Sequence, residues 1–222
     1  MRYLTKGLIR TMVLVGSLFL ISCATTQQAQ QKEGISIAEA GNYSVRIPSG
    51  KHWQVNIDRE KETVQFVEDR AIDRIITVSR QILGESKWSM SEESVADSVA
   101  EHYTGTVDNI VRKSEDRSAI AKFLTGRVEL EFAKKGVEVI DGKRLHTMHY
   151  RLLSGGDALF RTTGIERKHF IYFQPDFANT HTFYMFSLLK IYPRMPLTSE
   201  LHALGREDIM IIHDIINSLQ YK

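Results

Sequence analysis

Cysteine is almost absent from this chain: Cys23 is the only one among 222 residues. A single thiol excludes any disulfide within the chain, so the fold must hold through packing alone. Proline is scarce as well, with four residues, and three of them (Pro48, Pro193 and Pro196) read as ends of regular elements. No apolar run approaches the ~20 residues that cross a bilayer as a helix, since the stretch from Thr11 to Ser22 is about half of that and Arg10 closes it upstream. Charge of one sign is missing too. Twenty-nine basic residues face 27 acidic ones, for a net charge of +2. Three of the basic residues (Arg2, Lys6 and Arg10) lie ahead of Cys23 with no acidic residue among them, so the chain after residue 22 is near −1. Such a balance gives no footing for a nucleic-acid surface or a polybasic lipid-binding patch. Dibasic pairs such as Arg112-Lys113 and Lys143-Arg144 fall near turns and read as solvated loop charge.

What is present begins at the N-terminus. The basic start and the apolar stretch Met12–Ile21 have the form of a secretory signal ending at a small residue. Leu20-Ile21-Ser22-Cys23 resembles a bacterial lipobox, with Leu20 and Ser22 as the recognition positions and Cys23 as the acylated residue. That resemblance implies a lipoprotein anchored by covalent lipid on Cys23, with no other cofactor. Two or three acyl chains give a durable membrane attachment where one gives a marginal one. Ala24 rather than Asp after the cysteine implies an outer-membrane address facing the periplasm. The expected organisation is a signal peptide over residues 1–22, a lipid-anchored flexible tether over 23–34, and one globular domain over 35–222. The polar, low-complexity segment Ala24–Gly34 reads as coil with a mean reach of about 18 Å.

Four short alternating segments open the domain: 43–47, 53–57, 63–67 and 75–79. Their spacing predicts an antiparallel meander with one wet face. Ser89-Met90-Ser91-Glu92 fits a capping box, predicting a helix through Val95, Val99 and Tyr103 to a stop at Gly105. Residues 114–124 read as a second helix. Strands are expected at 127–132 and 137–140, with Asp141-Gly142 as a hairpin turn into 144–153, and again at 166–173 and 182–192. The chain closes with a helix from Glu207 to Leu219, whose stripe of Ile209, Ile212, Ile216 and Leu219, widened by Ile215, must be covered by a sheet. Strands, helices, strands, helix is an α+β order.

Tyr43-Ser44-Val45-Arg46-Ile47-Pro48-Ser49-Gly50 followed by Trp53, and the closing Ile215-Ile216-Asn217-Ser218-Leu219, resemble the opening strand and terminal helix of the PsbP-like family, which includes DcrB-type bacterial lipoproteins. The resemblance implies an antiparallel sheet sandwiched by helices. It implies an accessory or assembly role without catalytic residues.

The residues themselves supply few chemical motifs. Gly-x-Ser-x-Gly, His-Glu-x-x-His and an Asp-rich calcium loop do not occur. His146 and His149 are three apart, an offset that puts them on opposite faces of a strand and denies them a shared metal. Ser187-Leu188-Leu189-Lys190 matches Ser-x-x-Lys, but in a strand the two side chains diverge. Glu92-Glu93 and the pair Glu129 and Glu131 read as solvated carboxylates, and Glu207-Asp208 as first-turn acids favoured by the helix dipole. Ser154-Gly155-Gly156-Asp157 reads as a hairpin turn rather than an anion nest. The unusual feature is the aromatic cluster Phe170, Tyr172, Phe173, Phe177, Phe183, Tyr184, Phe186 and Tyr192. In Phe183-Tyr184-Met185-Phe186 both strand faces are apolar, so either a layer covers each face or Phe183, Tyr184 and Phe186 offer a surface to a partner or ligand. The resulting expectation is a non-catalytic envelope lipoprotein that binds an envelope protein or component, with no metal and no nucleic acid. The alternatives are an envelope hydrolase, which needs a pocket gathering His146, His149 or paired carboxylates, and an apolar-ligand carrier, which needs an apolar cavity beside Phe183–Phe186.

Overall fold

Alternation along the chain resolves into two antiparallel sheets in a computed structural model that describes residues 30–32, 35–49, 53–68, 74–115, 127–155, 162–195 and 205–222. The signal segment, Leu20, Ser22 and Cys23 lie outside the described residues, as do 116–124 of the expected second helix, whose first two residues, Ser114 and Glu115, instead end the preceding helix. A small sheet has the order β1 (Gln30–Lys32), β2 (Ile35–Ala40), β3 (Tyr43–Arg46) and β11 (Gln220–Tyr221). A large sheet runs β4 (Trp53–Asp58), β5 (Thr63–Glu68), β6 (Arg74–Ile82), β10 (Thr182–Met195), β9 (Thr162–Phe173), β8 (Lys143–Gly155) and β7 (Arg127–Ile140). Two helices of substance, α1 (Glu92–Glu115) and α3 (Arg206–Ser218), join the four-residue α2 (Phe177–Thr180). The class is α+β, as the order of elements implied.

The large sheet is covered on both faces. Against one lies α1, through Val95 and Ala96 on Ile171, Phe173 and Phe183, and through Ala100 and Val107 on Met148, Tyr150 and Leu152. Against the other lie α3 and the small sheet, through Ile211, Ile212, Ile215 and Ile216 together with Ala38, Ala40, Tyr43 and Val45. Strand β10 serves both layers by simple alternation. Phe183 faces α1, whereas Tyr184, Phe186 and Leu188 are fully buried on the α3 side. Phe183, Tyr184 and Phe186 are therefore core, and the expectation of a partner surface built from all three is corrected: each apolar face has its own cover.

Four boundaries differ from expectation for physical reasons. Tyr43–Arg46 does not join the meander, because Gly41-Asn42 turns it back onto β2 and the C-terminal strand pairs along its other edge. Gly41 has φ +61°, and a Cβ there would meet Glu62 Oε1 at 2.6 Å. Gln30–Lys32, assigned to the flexible tether, instead hairpins onto β2 through backbone pairing, which needs no apolar pattern. Strand β7 continues unbroken to Ile140 where two strands were expected. Its partner β8 carries the pairing through Lys134, Lys135 and Gly136, with a bulge between Leu130 and Phe132. Ser154 and Gly155 end β8 as strand residues opposite Val128 and Arg127 rather than opening a turn, while Gly156 and Asp157 lie outside the described residues. The Asp141-Gly142 turn is as expected, with both residues at positive φ (45° and 78°) as a type I′ hairpin requires.

Helix α1 starts two residues later than the Ser89 box predicts. Ser91 is the cap: its Oγ accepts the Ser94 N–H at 3.2 Å, and its carbonyl accepts the Val95 N–H. The helix also passes straight through Gly105, because Val107 continues the buried stripe and outweighs the glycine's cost of about 1 kcal/mol. Nothing lies within 4 Å of a Cβ built on Gly105. Gly105→Ala is thus expected to raise the unfolding free energy by about 0.5–1 kcal/mol, read as a higher urea midpoint at unchanged slope.

Candidate functional site

The two ends of the large sheet have different chemistry. At one end, register sets Arg74 on β6 opposite Lys190 on β10, Lys190 opposite Glu166 on β9, and Glu166 opposite Arg151 on β8. The first turn of α3 drops Asp208 onto this row. Asp208 pairs with Arg74 Nη2 at 2.5 Å and accepts from Lys190 Nζ at 2.7 Å and from the Gly205 N–H at 2.8 Å. Glu166 accepts from Arg151 at 3.3 Å and contacts His149 Nε2 at 2.5 Å, while Arg151 also reaches Glu131 at 3.0 Å and Arg74 reaches Glu68 at 3.5 Å. Arg74, Arg151, Glu166 and Asp208 are each buried to 95 % or more. The row binds α3 to the sheet through buried ion pairs. Asp208 stands in the first turn of α3 as expected and is in addition a buried ion-pair hub. Glu131 is exposed as expected and also pairs with Arg151.

The opposite end carries exposed or half-buried ion pairs, such as Arg80 with Glu62 at 2.6 Å, and an open groove. Strand β6 runs out into Leu83 and Gly84, a 3-10 turn at Glu85–Lys87 follows, and α1 begins at Glu92. Between this segment and α1 lies a groove of about 270 Å³, with Leu83, Met90, Val95, Val99 and Phe183 forming its apolar lining and Ile82 at its rim. Gln81, Ser86, Ser98 and Lys87 form its polar lining, and Lys87 is the only ionisable one among the described residues. Ile82 is 59 % exposed and Trp88 49 % exposed, both high for large apolar side chains. Trp88 is nevertheless held in place. Its ring stacks on His181 at 4.8 Å, and its Nε1–H donates to the Leu83 carbonyl at 3.0 Å. His181 in turn sits at φ +48° at the end of α2, with Phe177 packed edge-on against it.

Comparison with known proteins adds little beyond layout. No family model matches the chain, and no curated protein matches it. Among solved structures, the solution structure of cyanobacterial PsbP (CyanoP) from Synechocystis sp. PCC 6803 matches with a TM-score of 0.42 and 15 % identity, covering 91 % of this chain and 99 % of that one. That likeness transfers no residue and no activity to this chain.

The remaining candidates disperse. His146 lies edge-on to Phe173 on the α1 side, while His149 meets Glu166 on the α3 side, so the strand geometry separates them as expected. Ser187 and Lys190 diverge along β10, Ser187 lying opposite His169 and Lys190 pairing with Asp208. Glu93 is exposed, and a hydrogen bond from its own backbone N–H, followed by the Arg144 guanidinium at 3.1 Å, holds its carboxyl below the usual range. Glu129 is exposed. No group of three or more His, Cys, Asp or Glu fit to hold a metal occurs among the described residues. Two groups escaped sequence reasoning. The charged row was signalled only by Arg151 and Glu166 standing at inward positions of otherwise apolar strands. The groove was signalled by Ile82-Leu83-Gly84, an apolar strand end followed at once by a turn, with Trp88 five residues beyond Leu83.

Proposed function

We propose that this chain is a non-catalytic, lipid-anchored module of a bacterial cell envelope that holds an envelope protein through the groove between α1 and the end of β6. The address rests on the lipobox Leu20-Ile21-Ser22-Cys23 and on Ala24 for the outer membrane. The binding role rests on one observation: an open groove with an apolar patch of Leu83, Met90, Val95, Val99 and Phe183, beside exposed Ile82 and Trp88. Its volume is below the ~300–1,000 Å³ of pockets that enclose whole small ligands, and its mouth is open, which suits one protruding apolar side chain of a larger partner. The PsbP-like resemblance of Tyr43–Gly50 and Ile215–Leu219 points the same way, toward an accessory role.

The test is site-specific photocrosslinking of the full lipidated chain in its native membrane. With p-benzoylphenylalanine in place of Ser86 or Ser98, at the groove, one stoichiometric envelope protein is expected in the adduct. The same probe in place of Met210, exposed on α3, is expected to give none. Adducts at Met210 but not at the groove would remove the groove from the function, and turnover of a cell-wall or lipid substrate by the purified protein would replace the reading with a hydrolase. Cys23→Ala should leave an unprocessed precursor that takes up no radiolabelled palmitate.

A further inference from the structure

The mode of binding is written into the main chain of β6, given the binding role proposed above. Strand β6 outlasts its neighbour. Pairing with β5 ends at Thr63 opposite Ser79, followed by one more bond from the Arg80 N–H to the Glu62 carbonyl at 3.1 Å, and the β5 side then turns away through Arg59–Glu62. Strand β6 continues to Ile82, and the Leu83 N–H donates to the His181 carbonyl on the β10 side at 2.9 Å. In an antiparallel ladder, main-chain groups alternate between the two neighbours. If Leu83 points to β10 and Arg80 to β5, Ile82 turns its N–H and C=O toward the β5 side. Among the described residues, no strand pairs with it there.

We propose that the groove receives an extended segment of the partner, which adds as a strand to this unpaired stretch of β6. An added strand would bond the Ile82 main chain, and every second side chain would fall on the α1 face beside Leu83, where the apolar groove lies. Charge selects the occupant further. Among the described residues Lys87 is the sole ionisable lining residue and no carboxylate lines the groove, so the segment pairs an apolar anchor with a nearby carboxylate, either an acidic side chain or a free C-terminus. The occupant is thus a short apolar-acidic peptide strand, as distinct from a second copy of this chain or a lipid acyl chain.

Selection of phage-displayed random dodecapeptides on the immobilised full-length protein tests this. Enriched sequences are expected to carry an apolar residue within two positions of Asp or Glu. Synthetic versions should bind about tenfold more weakly to K87E, as reversal of a contacting charge predicts. Binding to I82P, which lacks the main-chain donor, should be lost. Lys87 is a surface residue, so K87E remains informative even if I82P fails to fold, which circular dichroism would reveal. The proposal is overturned by no enrichment, by enriched peptides without a carboxylate, or by binding that K87E leaves unchanged. Concentration-dependent dimerisation abolished by K87E, or binding to phosphatidylethanolamine vesicles without any peptide selected, would assign the groove to the other occupants and overturn it as well. If groove crosslinks capture a partner whose binding K87E and a folded I82P leave unchanged, the binding role stands and the added strand falls.

Discussion

Asp208→Ala is expected to cost the fold roughly 3–5 kcal/mol, the loss typical when one member of a buried ion pair is removed and its partners stay behind. Asp208 is almost fully buried, and three donors converge on it: the Arg74 guanidinium, the Lys190 ammonium and the Gly205 N–H. Truncation leaves two cations facing each other across β6 and β10 with no carboxylate between them. It also removes the side chain that caps the first turn of α3, which adds to the loss. Urea unfolding of the variant should show a large fall in midpoint, and α3 should exchange its amide hydrogens faster than the large sheet. The exposed pair Arg144 with Glu93 provides the contrast: Glu93→Ala should change the midpoint little, since exposed pairs stabilise weakly. Replacing Arg74 and Asp208 together by Met and Leu should cost much less than Asp208→Ala alone, because no charge is then left unpaired on β6.

The same row explains why some of the fold was legible in sequence and some was not. Local patterns carried well. The alternation in 53–57, 63–67 and 75–79, the Asp141-Gly142 turn and the isoleucine stripe of α3 each encode their structure within a few residues. The charged row and the groove are products of register, which no local pattern reports. Arg74 and Arg151 come together with Glu166 and Asp208 only because β6, β10, β9 and β8 are adjacent in space in an order the sequence does not display. The groove likewise exists because the turn after β6 leads into α1 across the end of the sheet, bringing Leu83 and Met90 to Val95, Val99 and Phe183. Phe183, Tyr184 and Phe186 illustrate the other half. Their two-faced apolarity was visible in sequence, but whether it met core or partner depended on α1 and α3 lying on opposite faces. Only Phe183 reaches the groove, and it does so as part of the floor. The strand-long aromatic pattern that looked most functional is mostly packing, and exposed large apolar side chains lie instead at the end of β6 and in the turn after it, at Ile82 and Trp88.

Acid should weaken this fold from an unexpectedly high pH, and His169 is the reason. It lies under α1 with its ring stacked on Tyr103 at 4.1 Å, and neither ring nitrogen has a hydrogen-bond partner. Burial holds the charged form back first, and the Arg167 guanidinium opposes it second, so its pKa falls to about 3. Between roughly pH 6.5, where an unfolded histidine titrates, and pH 3, the unfolded chain therefore binds a proton that the folded chain refuses. Stability from this group is complete above pH 6.5 and drains away as pH falls, by about 1.4 kcal/mol per unit at full slope and about 2 kcal/mol by pH 5. Carboxylates with lowered pKa, such as Glu62 beside Arg80 and Asn42, add their own losses only nearer their unfolded values, at lower pH. His169→Phe isolates the effect. The aromatic ring is kept against Tyr103, while two buried polar atoms without partners disappear, an exchange that is near neutral or stabilising at pH 8. Urea midpoints measured from pH 8 to pH 5 should thus fall less steeply for the variant than for the natural chain. Parallel curves for the two proteins would mean that His169 takes up its proton inside the folded state, and that Tyr103 and Tyr150 open to let it.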